Sequence, residues 1–249
     1  MASATGIPQH PPINNPDDGG ELEGDLEPLL GRPGDVSQRD NAPIVKNLIL
    51  GTGIIAEAAS ILLVASVWAA VFLNGPLILF SVHPLAQSAG LLVLVQSILV
   101  IQPTHTGAQK EVGAKIHAGL NVLGFLIFAV GILSIEYNKI ANNGAHFHSA
   151  HGYLGVIASF WLLAQYAIGF TMFATPALYG GEAAAKKIWK YHRSSGYALL
   201  LFLSATVISA TQTDYNLNVL NIKLWATIVI FVLLVIGVFP RIKKHKLGL

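Results

Sequence analysis

Four histidines stand at the edges of long apolar runs and are the residues best placed to do chemistry: His83, His117, His151 and His192. Ionisable side chains within membrane spans are costly and usually functional, and neutral imidazole is the commonest metal ligand among side chains. Small residues follow three of them: Ala118 and Gly119, Gly152 and Gly155, and Ser194, Ser195 and Gly196. A flat ligand lying against a helix needs such residues. Ordinary helix packing in a membrane favours them too, so they decide nothing by themselves. A lone histidine at a helix start is an interfacial residue. Four at matched depths on consecutive antiparallel segments form a ligand set.

The elements that must position these residues are apolar and long. Of the 249 residues 53% are apolar and 11% charged, against about a quarter charged in soluble domains. Six apolar segments are expected over 47–73, 82–101, 116–135, 151–173, 191–210 and 217–239. Each matches the roughly 20 residues needed to cross a hydrocarbon core. The fold class expected is an all-α membrane protein of six transmembrane helices. The central four, second to fifth, form an up-down-up-down bundle that holds two haems. Pro84 suits a helix N-terminus, while Pro103 and Pro176 close the second and fourth segments. Without cysteine there is no disulfide framework, iron–sulfur site or thiolate haem ligand.

Three regions are expected: a disordered cytosolic tail over 1–43, a six-helix domain over 44–241, and a short basic cytosolic tail over 242–249. The first is rich in Pro, Gly, Asp and Asn and buries too little surface to order itself. It lacks the basic start and early apolar core of a signal peptide. Its stretch Asp25-Leu-Glu-Pro-Leu29-Leu30 resembles acidic dileucine sorting signals, which favours an endomembrane, vacuolar or endosomal, over the plasma membrane. The net charge of +2 says less than its distribution. Lys110 and Lys115 precede the third segment, and Lys186, Lys187, Lys190 and Arg193 lie around the start of the fifth. Arg241, Lys243, Lys244 and Lys246 follow the sixth. Positive residues collect on the cytosolic side, so both termini are expected there.

On that topology His83 and His151 lie at the outer level and His117 and His192 at the cytosolic level. The second and fourth helices are diagonal, as are the third and fifth. Each diagonal pair points two imidazoles at one place on the bundle axis, the geometry of bis-histidine haem ligation. Two haem b groups would then sit near opposite faces, about 20 Å apart. With both axial positions filled, the chemistry is electron transfer rather than oxygen binding.

The motifs Phe80-Ser-Val-His83-Pro84, Lys115-Ile-His117-Ala-Gly, His148-Ser-Ala-His151-Gly-Tyr-Leu-Gly155 and Lys190-Tyr-His192-Arg-Ser-Ser-Gly196-Tyr resemble the cytochrome b561 family. These are six-helix, ascorbate-dependent transmembrane reductases, and the resemblance spans about residues 47–241. It implies the same pairs, His83 with His151 and His117 with His192, as axial iron ligands. It also implies ascorbate as cytosolic donor, with ferric iron or monodehydroascorbate as acceptor on the outer or lumenal face. The best-known members carry an arginine at the cytosolic end of the second helix and Ser-Trp after the outer ligand. Here those places read Ser97-Ile-Leu-Val-Ile-Gln102-Pro-Thr-His105 and Gly152-Tyr153, so the chain is closer to a divergent subgroup. No extracellular domain is expected on so short and polar an N-terminal tail.

Lys110, Lys115 and Lys190, with Lys186 and Lys187, could draw in an anionic donor; the positive-inside bias alone also accounts for them. His146 and His148 could bind the outer acceptor or be solvated loop residues, and His105 is expected in a cytosolic loop. Glu57, within the first span, has no partner identifiable from sequence. The remaining partners are the lipid bilayer and, within it, a second copy forming a homodimer; nucleic acid is not expected. Two alternatives stand beside the reductase. One is a haem-bearing membrane subunit that passes electrons to a protein partner. The other is a histidine-based metal or proton transporter, disfavoured because no span carries the Asp or Glu chain of a relay.

Overall fold

A computed structural model describes residues 35–247. Six helices among these are long and apolar enough to cross a membrane: α1 Gly53–Leu73, α2 Val82–Ile101, α3 Gly107–Ala141, α4 Ala150–Ala174, α5 Glu182–Ala210 and α6 Leu224–Val238. The chain is a multi-pass, all-α membrane protein. Large apolar side chains cover its outside, among them Leu73, Leu133, Phe160 and Trp225. In water such a surface would be a liability, whereas in lipid it is the solvent face.

Local chemistry sets the helix ends. Pro84 lies in the first turn of α2, where its missing N–H costs nothing. Thr106 opens α3 with a capping box: its Oγ1 accepts from Gln109 N at 3.3 Å, and Gln109 Oε1 accepts from Thr106 N at 3.5 Å. Ser149 Oγ accepts from Gly152 N at 3.2 Å and starts α4. Pro176 forbids continuation of α4 past Thr175. Gly180 and Gly181, at φ +89° and +104°, turn the chain into α5.

Two helices start well before the apolar runs that mark them in the sequence. α3 begins ten residues before His117 (107 to 117) and α5 ten before His192 (182 to 192). The added turns carry Lys110, Glu111 and Lys115, or Glu182, Lys186 and Lys190. Charged residues with good helix propensity continue the helix beyond the apolar stretch, which hydropathy alone does not register. The sixth segment departs the other way. A π-turn over Asn216–Leu220 precedes α6. There Asn216 Nδ2 donates to Thr211 O and Ile222 O, while its Oδ1 accepts from Ile222 N. One amide thus takes over helix bonds and resets the chain to start α6 at Leu224.

The helices pack as α2 along α3, α4 along α5, and α1 against α6 and α2, while α3 and α4 barely touch. The molecule is therefore two tight hairpins facing each other, buttressed by α1 and α6. At the face of the chain ends, Arg241 is 2% exposed. Its Nη2 donates to Asn47 O at 2.6 Å and Leu99 O at 3.1 Å. Glu57 interacts electrostatically with Arg241, and its Oε2 accepts from Gln96 Nε2 at 2.7 Å. These are the partners that sequence alone left unassigned. Gln102 Nε2 joins α2 to α5 and α6 through Tyr197 Oη and Val238 O, each at 3.1 Å.

Residues on both sides of the expected domain join this knot. Gln38, in the stretch read as tail, is buried; it donates through its backbone to Pro103 O and accepts from Asn47 Nδ2. Lys243 and Lys246 both donate through Nζ to Thr104 O at 3.2 Å. The dileucine-like stretch 25–30 lies outside the described residues. Arg241→Ala removes charge-assisted bonds and leaves two buried carbonyls without a donor. It is expected to destabilise the protein by about 1.5–3 kcal/mol, seen as a lower unfolding temperature in detergent. An unchanged temperature would mean that the buried arginine contributes no stability.

Candidate functional site

Each hairpin carries one histidine near either end, and the spacing is regular. Fourteen residues after each histidine on its own helix comes Ser97 (83 to 97), Gly131 (117 to 131), Gln165 (151 to 165) or Thr206 (192 to 206). Fourteen residues are nearly four helical turns, or about 21 Å of rise. In an antiparallel hairpin this brings the histidine of one helix level with the marked carbonyl of the other. His83 Nδ1 donates to Gly131 O at 3.0 Å, His117 Nδ1 to Ser97 O at 2.8 Å and His151 Nδ1 to Thr206 O at 2.9 Å. A carbonyl only accepts, so each of these bonds places the proton on Nδ1 and leaves the Nε2 lone pair available.

Gly131 shows what the approach requires. A Cβ there would strike Gln87 Nε2 and come within 3.1 Å of Ala86 Cβ. A side chain at that position would displace the Gln87 amide, which donates to Phe128 O, and crowd Ala86, so the close approach of α2 to α3 uses the glycine.

Across the two hairpins, the structure brings His83 and His151 together, with ring centroids 6.0 Å apart and planes at 74°. A metal–imidazole bond of about 2.0–2.1 Å added to a ring radius of about 1.2 Å on each side spans roughly 6.5 Å, close to this separation. His117 and His192 interact electrostatically at the other level. The His192 ring lies over Gly169 of α4, where an added Cβ would be 2.9 Å from its Cε1. Its Nδ1 is buried without a hydrogen-bond partner, unlike the other three.

Each level also has a cation within electrostatic reach. Lys139 interacts with His83 and His151, and Arg193 with His117 and His192. Neither was singled out from sequence as part of a site. Both were visible only as basic residues in their segments.

Among the described residues no group of three or more His, Cys, Asp or Glu gathers. A bare metal ion held by protein alone would need such a group. Two facing imidazoles instead supply a set that a planar tetradentate macrocycle completes. The neutral tautomers, the ring separation, the small residues beside the rings and the nearby cations all fit a haem with two axial histidines.

The other residues named from sequence lie outside the bundle. Lys115 Nζ pairs with Glu111 Oε1 at 2.6 Å on the surface. Lys190 Nζ lies 5.0 Å from the Tyr191 ring centroid, and Lys186 pairs with Glu182 at 3.1 Å. Lys110 is half-buried in the first turn of α3, and Lys187 lies one turn before the exposed Tyr191 of α5. On the opposite face His146 Nδ1 lies 3.3 Å from Glu136 Oε2, and His148 Nδ1 is 3.0 Å from Ala145 O. His105 is in a loop, as expected, but only 2% exposed.

Residues 82–217, more than half of the chain, match the family described as eukaryotic cytochrome b561. The transmembrane ascorbate-dependent reductase of Bos taurus is 25% identical over 173 residues, covering 62% of this chain and 68% of that protein. The human lysosomal membrane ascorbate-dependent ferrireductase is 26% identical over 153 residues, 59% of this chain and 61% of that protein. A plasma membrane ascorbate-dependent reductase of Mus musculus is 27% identical over 139 residues, 54% and 47%.

Proposed function

Because the chain belongs to the eukaryotic cytochrome b561 family, we propose that it is a transmembrane oxidoreductase that moves single electrons between the two faces of an endomembrane by way of two b haems. The observation that carries this is the set of imidazole-to-carbonyl bonds, which prepares His83, His117 and His151 as neutral ligands at two levels. Bound there, the haems would supply two one-electron iron couples about 21 Å apart. His83 and His151 hold the outer site, with Gly131 O and Thr206 O orienting their rings. His117 and His192 hold the inner site, with Ser97 O orienting the first. Lys139 and Arg193 would supply positive charge beside the haem at each level. Six crossings would leave residues 35 and 247 on one face, and the basic residues near it support a cytosolic assignment for that face.

The donor we propose is ascorbate. It gives one electron and one proton on becoming monodehydroascorbate, and one ferric ion becomes ferrous at the opposite face. The relatives named as ascorbate-dependent reductases support the donor, and those named ferrireductases the acceptor. Monodehydroascorbate taking up the same electron is the other acceptor in view. The relatives' names cover both lysosomal and plasma membranes; the acidic dileucine stretch favours the endomembrane. His146 and His148 lie at the outer face, where they would meet the acceptor.

Purified protein should contain two haems with low-spin, six-coordinate spectra in both redox states. His83→Ala or His151→Ala should remove one haem and leave the other, and His117→Ala or His192→Ala should do the reverse. Loss of the same haem in the His83 and His117 variants would contradict the pairing.

Ascorbate is an anion near neutral pH, so cations at the cytosolic face should speed its approach. Lys115→Ala with Lys190→Ala is expected to slow reduction of the inner site several-fold without changing haem content, and to weaken its salt dependence. Glu111→Gln removes the carboxylate that neutralises Lys115 and should move the rate the other way. Stopped-flow reduction at two ionic strengths measures both; unaltered rates in every variant would place the donor elsewhere, with Lys110 next.

A further inference from the structure

The two inner histidines are held at their backbone by the same kind of bond from two different places. Asn121, one turn after His117 on α3, donates Nδ2 to His117 O at 2.7 Å. The equivalent residue on α5, one turn after His192, is Gly196 (117 to 121; 192 to 196). Its missing side chain leaves room, and Gln165 of α4 enters: Gln165 Nε2 donates to His192 O at 2.6 Å. A Cβ on Gly196 would lie 3.0 Å from that nitrogen. The residue of α2 equivalent to Gln165 is Ser97, whose hydroxyl instead donates to Leu94 O within its own helix.

We infer that Gln165 is a positioning residue for the inner haem ligand His192, doing across the helix interface what Asn121 does within α3 for His117. This rests on reading His117 and His192 as ligands of one haem. The two anchors are unequal in what stands behind them. His117 is held twice, by Asn121 at its carbonyl and by Ser97 O at its ring. His192 has an unpartnered ring Nδ1, so the Gln165 amide is the anchor it has. An axial imidazole must keep its direction through changes of iron charge, and a helix turn free to rotate would let it tilt. Gly196 belongs to the same device, since a Cβ there would crowd the Gln165 amide at 3.0 Å.

Partners that orient metal-bound histidines typically change metal affinity by about 10–100-fold when mutated. Gln165→Leu is expected to release the inner haem faster by a factor in that range. It should also shift the inner haem's low-spin electron paramagnetic resonance signal and midpoint potential. The outer haem signal in the same sample should not move, which shows that the variant is folded. Asn121→Leu should have a smaller effect, because Ser97 still holds His117. The decisive variant is Gln165→Ser with Gly196→Asn, which transplants the α3 arrangement onto α5 and should restore the wild-type signal. The inference is overturned if Gln165→Leu leaves the inner signal and potential unaltered, or if Asn121→Leu has the larger effect. Failure of the double variant to recover the signal that Gln165→Leu loses would also overturn it. A wild-type protein without haem would sink the functional reading and this inference with it. A two-haem wild type with an unaltered Gln165 variant would sink this inference alone.

Discussion

A backbone carbonyl in a helix has two lone pairs and spends one on the N–H four residues ahead. The organisation of this molecule depends on the use of the second. Gly131, Ser97 and Thr206 each offer theirs to an imidazole on the neighbouring helix of the same hairpin. In hydrocarbon there is no water to compete for either group. Such a bond reaches only if the helices lie close, and this explains the residue types: all three acceptors are small. The bond also fixes which imidazole nitrogen keeps its proton, so the packing of a hairpin sets the chemistry of its histidines.

Each hairpin is therefore a plate that carries two of the four histidines, three of the four held by such a bond, and the rest of the fold sets the distance between plates. α3 and α4, where the plates could close on each other, barely touch. α1 lies on α2 and α6 on α1, with Ala56 against Gly237 so near that a Cβ on the glycine would strike the alanine backbone. At the face of the chain ends Gln102 ties α2 to Tyr197 and Val238, and Arg241 ties Asn47 to Leu99. At the opposite face the Phe80 and Tyr215 rings lie 4.2 Å apart, tilted at 42°, and Asn74 Nδ2 donates to Leu220 O. Between these ties lies apolar packing that includes Leu91, Val95, Phe128 and Leu162.

Much of this was legible because the bilayer imposes a length and a hydropathy on every crossing. Six spans, their order and the four histidines at their edges follow from that rule. Helix ends beyond the apolar runs did not, because Lys110 through Lys115 and Glu182 through Lys190 are good helix formers that hydropathy counts as loop. Glu57 and Arg241 stand at opposite ends of the six-helix domain, and nothing local announces their partnership. The carbonyls facing the histidines leave no mark in residue type either, since the backbone provides them. Their trace is the interval of fourteen residues, which gains meaning only once the hairpins are known to be antiparallel. Gln165 carries no signal of its own in the sequence for the same reason: what defines it is the absence of a side chain at Gly196, on another helix.

The two levels are not mirror images, and the difference bears on direction. His83 and His151 lie in the first turns of α2 and α4, at the positive ends of two helix dipoles. His117 and His192 lie ten residues inside α3 and α5, beyond the reach of a terminal dipole, which fades within about one turn. A positive helix end favours whichever state of a nearby group carries more negative charge, by about 0.3–1 kcal/mol for an exposed terminus and more when partly buried. If the histidines are ligands, the reduced state of the outer site is the one so favoured, and by two helices at once. Arg193 and Lys139 add one cation to each level and so leave that difference standing. On that reading the backbone itself would bias an electron entering at the level of His117 and His192 towards the level of His83 and His151.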